Sequence, residues 1–113
     1  MASALLSSLE KLIGTPRDGA LLRFSLGTEH LKAGDTARGI AELREAVSRD
    51  PAYSAAWKTL GRALADSGHE TEALEAWSRG IEAARGKGDR QAEKEMTVFA
   101  RRLARKLESK PPA

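Results

Sequence analysis

Apolar residues return every three or four positions along most of this chain, in runs broken by glycine, proline and aspartate. Leu22, Leu26, His30 and Leu31 keep helical spacing, Lys32-Ala-Gly-Asp35 interrupts it, and Ile40, Leu43 and Val47 resume it. A second pair of runs follows: Tyr53, Trp57, Leu60 and Leu64, a turn at Ser67-Gly68-His69, then Leu74, Trp77 and Ile81. Farther on, Ala92, Met96, Phe99, Leu103 and Leu107 are spaced 4, 3, 4 and 4 and predict one long helix with a single apolar stripe. Leu5, Leu9 and Leu12, with Leu6 and Ile13, predict a shorter N-terminal helix, and Gly14-Thr15-Pro16 after it reads as a flexible joint. The punctuation has physical reasons. Gly34 suits the left-handed residue that ends a helix, Asp35 suits the cap of the next, and Pro51 ends one helix and suits the first turn of another.

The two double runs are copies of one another. A shift of 34 places Leu26-Gly27 on Leu60-Gly61, Gly34 on Gly68, Ile40 on Leu74, Leu43 on Trp77, Ala46 on Gly80 and Val47 on Ile81. A repeated helix pair cannot bury its apolar face alone, so stacking is the expected architecture. The prediction is an all-α chain forming one domain. An N-terminal helix spans 1–14, repeat one 18–51, repeat two 52–85, a capping helix 88–108 and a disordered tail 109–113. The linker Gly86-Lys87-Gly88-Asp89 puts the capping helix one residue out of the repeat frame.

These positions resemble the tetratricopeptide repeat. Unit two carries Trp57, Leu60-Gly61, Ala73 and the aromatic Trp77, with Leu64 in the tyrosine place and Gly80 in the second alanine place. Unit one carries Leu26-Gly27, Leu43, Ala46 and Pro51, with Arg23 in the tryptophan place and Gly39 in the first alanine place. The resemblance covers roughly residues 20–85 and implies a short right-handed α-solenoid. It also implies a concave groove, lined by the first helix of each pair, that binds a partner peptide or helix. Carried over by position, the groove residues are Phe24, Thr28 and Leu31 from unit one, Lys58, Arg62 and Asp66 from unit two, and Glu93, Thr97 and Arg101 from the capping helix. Leu21, Lys32, Ala65 and Arg90 are carried over to the same groove. Phe24 with Leu31 has the composition of an apolar anchor site, the alternative being that Phe24 packs against the N-terminal helix. Lys58 and Arg62, one turn apart, suit a carboxylate, the alternative being a solvated pair. Some members hold a free C-terminal carboxylate in a clamp of lysines and asparagines. Here Phe24, Thr28 and Thr59 stand at clamp positions, so the expected ligand is instead an acidic or mixed acidic-apolar segment.

Composition narrows the remaining choices. A chain of 113 residues has interior enough for one core but not for a large catalytic cleft. Aromatics are 4% of residues and charged residues 31%, so the apolar content is mostly helix-favouring alanine and leucine. No cysteine is present, which removes disulfides and thiolate chemistry. His30 and His69 stand apart without carboxylates at ligand spacing, and Gly80 to Lys87 departs from a phosphate loop in glycine spacing and in lacking Ser or Thr after the lysine. Neither an enzyme nor a cofactor or metal is expected. The N-terminal apolar cluster is broken by Ser7, Ser8, Glu10 and Lys11, which predicts neither a signal peptide nor a membrane span; the expected location is cytoplasmic. The net charge of +3 is uneven: residues 1–84 carry 10 Lys/Arg against 12 Asp/Glu, and residues 85–113 carry 9 against 4. Leu103 inside Arg101-Arg-Leu-Ala-Arg-Lys106 belongs to the apolar stripe and no aromatics interleave, so this segment reads as a solvated face. The expected function is protein-protein interaction. The alternatives are assembly through self-association and, behind it, electrostatic binding of nucleic acid.

Overall fold

The structure is a computed structural model that describes residues 3–109. Six helices follow in order: α1 (Ala4–Glu10), α2 (Ala20–Lys32), α3 (Thr36–Arg49), α4 (Ser54–Asp66), α5 (Glu70–Lys87) and α6 (Arg90–Glu108). No strand occurs among the described residues. The expected tail falls mostly outside that range: residues 110–113 lie outside the described residues, and Ser109 is the C-cap of α6.

The turns form as the sequence predicts. Gly34 and Gly68 both hold φ near +83°, a conformation open to glycine without a Cβ clash. Just past each, the chain turns back with the same bond: Asp35 N–H donates to His30 O at 2.9 Å and His69 N–H to Leu64 O at 2.8 Å. Asp35 then caps α3 by accepting from Arg38 N–H, and Asp89 caps α6 by accepting from Ala92 N–H. Pro51 departs from the prediction. It sits in a turn closed by Tyr53 N–H donating to Asp50 O, with Tyr53 as the N-cap of α4, so it lies before that helix and not in its first turn. The reason is local: the Pro51 carbonyl is held by the Trp57 indole N–H at 2.8 Å, which fixes the turn against the first turn of α4.

Helices pack in antiparallel pairs, α2 with α3 and α4 with α5, and α6 lies on α5. Small residues set how close they come. A Cβ on Gly27 would stand 2.7 Å from Leu43 Cγ, and one on Gly61 would collide with the Trp77 indole. A Cβ on Gly80 would meet Met96 and stand 2.8 Å from Trp57 Cβ, so each glycine marks a helix crossing. The main core runs through Leu43, Val47, Trp57, Leu60, Leu64, Trp77 and Met96. A second, smaller cluster joins Leu6 to Leu22 and Leu26, with Leu9 and Leu12 at its edge, so α1 covers the open side of the first pair. Leu5 and Ile13, assigned by spacing to the same apolar face, are exposed. α1 ends at Glu10, and the hydrogen-bonded turns over residues 11–14 carry Ile13 off the helical register.

The first helices α2, α4 and α6 approach one another in succession, whereas the backbones of α3 and α5 stay farther apart and are bridged by the Arg44–Glu72 pair. That difference bends the stack toward the α2-α4-α6 face.

Candidate functional site

The α2-α4-α6 face carries two adjoining clefts. One, about 630 Å³, is lined by Leu31, Thr36, Thr59, Arg62, Asp66 and Ser67 at the C-terminal ends of α2 and α4. The other, about 290 Å³, lies between the C-terminal halves of α4 and α6. Its apolar lining is Ala65, Trp77, Phe99 and Leu103, and Arg62, Arg102 and Lys106 stand with Asp66 around it. Arg62 and Asp66 are shared by both clefts, so the two form one continuous surface.

Several residues assigned to this face by sequence have partners inside the molecule. The Phe24 ring is half-buried and meets the Tyr53 ring at a tilt of 45° with centroids 5.0 Å apart, so it packs against the α3-α4 turn and not against α1. Burial of the Tyr53 hydroxyl and, after it, the Asp50 charge nearby push its pKa up. Leu31 lines the first cleft and also fills the space over Gly39. Lys58 pairs with Glu95 of α6 at 3.5 Å, and the Arg62 guanidinium lies 5.7 Å from the Phe99 ring centroid. These two cations therefore brace α4 against α6. Thr28 and Thr97 turn their hydroxyls back onto their own helices, donating to Phe24 O and Glu93 O. Glu93 pairs with Arg85 of α5 at 2.7 Å, whereas Arg101 is exposed without an ion pair among the described residues.

The geometry supplies residues that the sequence reading passed over. The N-caps Gly19, Tyr53 and Asp89 are 34 and then 36 residues apart, so α6 is displaced by two residues from the repeat frame, not one. α5 runs on through Lys87 before Gly88 ends it in the left-handed conformation, and that extra length is the cause. In the corrected frame Asp66 corresponds to Arg102, and the two do line one cleft. Ala56 and Leu60 correspond to Ala92 and Met96, all four buried. Lys94, Val98 and Arg102 then take the groove register, and Glu93 and Thr97 fall on the end face of the stack. The longer linker was visible in the sequence; the extra turn of α5 was not.

A further cleft of about 490 Å³ opens on the opposite side, between α3 and α5, over Val47, Trp57, Leu60 and Leu64. Its rim is charge-balanced: Arg44 pairs with Glu72 at 2.7 Å across it, which holds the Glu72 carboxyl below its ordinary range, and Arg79 pairs with Glu75 while lying over Trp57. Near the start of α2, Asp18 accepts from Arg23, Arg49 and the Gly14 N–H. His30 is buried on α2, His69 is an exposed N-cap, and no group of three His, Asp or Glu suited to a metal occurs among the described residues. None of the described helices is long and apolar enough to cross a membrane.

Antiparallel helix pairs stacked in one direction, with glycines at the crossings and a curved inner face carrying clefts, define the class: a helical-repeat scaffold. The tetratricopeptide repeat profile matches residues 30–93, more than half of the chain, and the chain belongs to the tetratricopeptide repeat family. It is 48% identical over 101 residues to a TPR repeat-containing protein of Pseudomonas aeruginosa, covering 89% of this chain and 96% of that one. Among solved structures, a protein of Bordetella parapertussis superposes with a TM-score of 0.77 at 40% identity, over 92% of this chain and 90% of that one. The Sgt2 TPR domain of Aspergillus fumigatus superposes with a TM-score of 0.76 at 26% identity, over 96% of this chain and 72% of that one. Domains of this family generally mediate protein-protein interactions and are typically non-catalytic.

Proposed function

We propose that this protein is an interaction module that holds an acidic or mixed acidic-apolar peptide or helix of a protein partner across the α2-α4-α6 face. The observation that carries the reading is the cleft between α4 and α6, where Trp77, Phe99 and Leu103 form an apolar lining beneath Arg62, Arg102 and Lys106. An apolar side chain seated there would place neighbouring carboxylates within reach of guanidinium groups, and such charge-assisted contacts are stronger than neutral ones. The adjoining cleft at Leu31 and Thr59 extends the track toward α2, where Phe24 and Thr28 lie. Lys58, Asp66 and Arg101 contribute charge along its edges. The cytoplasm is the compartment proposed for this activity.

The test compares partners recovered from native lysate by the wild type and by an Arg62→Glu/Arg102→Glu variant, after circular dichroism shows both folded. Partners lost only with the variant are expected; recovery of the same set by both would refute the reading. A second reading, assembly through self-association, is favoured by the exposure of Leu21 (69%), Leu5 (52%) and Ile13 (43%) near the α1 end. It predicts a mass that rises with concentration in sedimentation and returns to the monomer when Leu21 is replaced by Glu.

A further inference from the structure

The solvent face of α6 carries six cations, Arg90, Lys94, Arg101, Arg102, Arg105 and Lys106, all exposed. Among the described residues only Lys106 has an ion-pair partner, Glu70 at 3.7 Å. Two acidic residues of α6 are engaged elsewhere, Glu93 by Arg85 and Glu95 by Lys58, and the third, Glu108, is the last helical residue. The stripe is about 24 Å long at the rise of an α-helix. Leu103 does not dilute it, because Ala92, Met96 and Leu103 are buried on the opposite side, against the core.

The arrangement is two rows. At roughly 100° per residue, Arg90, Lys94, Arg101 and Arg105 fall within about 60° of one another, and Arg102 with Lys106 lies about 100° farther round. Val98, 42% exposed, stands on the ridge between them. Cations on both flanks suit a helix set between two phosphate strands. The B-form major groove admits an α-helix, whereas the A-form major groove is too deep and narrow. An acidic protein surface is a poorer match, since a protein interface needs a desolvated apolar centre and Val98 alone does not make one. Phosphate binding by counterion release needs no such centre.

From this charge geometry we infer that the exposed face of α6 binds double-stranded DNA through its phosphates, without reading sequence. The activity is separate from the peptide reading, although Arg102 and Lys106 also border the α4-α6 cleft. The test measures fluorescence anisotropy of a labelled duplex of mixed sequence, roughly 20 base pairs long, titrated with the whole protein at several salt concentrations. With about four phosphates neutralised, affinity should fall on the order of 10²-fold between roughly 50 and 200 mM salt. Arg101→Glu/Arg105→Glu should weaken binding at least about 10-fold and flatten the salt slope by about 2, at roughly 0.9 for each phosphate left without its cation. A Lys11→Glu/Arg17→Glu variant changes net charge equally at exposed sites on the far end of the molecule and should bind as the wild type does. No binding at low salt, or equal weakening in both variants, would overturn the inference. So would equal affinity for an RNA duplex, or tighter binding of labelled polyglutamate or of anionic vesicles than of the DNA duplex at matched charge; either preference would reassign the face to an acidic protein or to a membrane surface.

Discussion

Arg23 stands where Trp57 stands one repeat later, and its neighbours change with it: Asp18 and Glu42 take the places of Ala52 and Ala76. The side chains of Arg23 and Asp18 are 15% and 8% exposed, so the first unit fills with paired charge a site that the second fills with an indole. Asp18 accepts from Arg23 Nε at 2.9 Å, from Arg49 at 3.0 Å and from the Gly14 N–H at 2.8 Å. Chiefly through the Arg23 bond, its carboxyl is held well below the usual carboxylate range, and Arg23 is held charged beyond its own. A depressed carboxylate pKa contributes stability that is complete above the unfolded value, near 3.9, and is lost as pH falls toward the folded value. The urea midpoint should therefore drop as pH is lowered below about 5. Asp18→Asn should lower the midpoint at neutral pH and flatten that acid arm; an unchanged arm would show that Asp18 is not responsible. The departure at position 23 was visible in the sequence, but its partners, 5 and 19 residues away, were not.

Between elements, the distance of approach is the controlling quantity. The crossing of α4 and α5 places Gly61 against the Trp77 ring, whose N–H donates to Lys58 O at 3.2 Å. The ring is thereby fixed and has little freedom to yield. At Gly61→Ala, overpacking costs roughly 1–3 kcal/mol against a gain of about 1 kcal/mol in helix propensity, so a net loss of up to about 2 kcal/mol is expected. Thermal melts decide it: a variant that melts at or above the wild-type temperature would show that α5 can shift away. The period of 34 made this glycine readable, because it recurs as Gly27 against Leu43. The register of α6 was not readable to the residue, since α5 continues through Gly86 where composition signalled a linker. One helical position of displacement turns a side chain by about 100°, which is why Glu93 and Thr97 leave the groove register and Val98 and Arg102 enter it.

On the scale of the whole molecule, a two-repeat stack has two ends to cover. α1 covers one with Leu6, and α6 covers the other with Met96, which is fully buried over Gly80, and with Phe99, whose ring centroid is 5.6 Å from that of Trp77. A chain truncated after Gly88 should expose Trp77, Gly80 and Ala84 together. Nearest-neighbour coupling in repeat proteins then predicts loss of cooperative unfolding in the second repeat. Dye binding and the tryptophan emission maximum would report it, and a truncated chain with native emission and a sharp melt would show that α6 is dispensable as a lid. The Lys58–Glu95 pair and the Arg62–Phe99 contact fasten the same lid from the groove side. The groove and the end cap are thus built partly from the same residues.

The sequence by itself determined the helices, their pairing, the turns at Gly34 and Gly68 and the small-residue crossings, because each depends on local periodicity or on one residue's conformational freedom. It also placed the basic excess in residues 85–113. Only the tertiary structure decided that Phe24 meets Tyr53, that Lys58 and Arg62 reach across to α6, and that Arg102 and Lys106 border the cleft beside Trp77 and Phe99. The reason is geometric: those contacts depend on the angular register of one helix against another, and a net shift of two residues between α5 and α6 is enough to turn it.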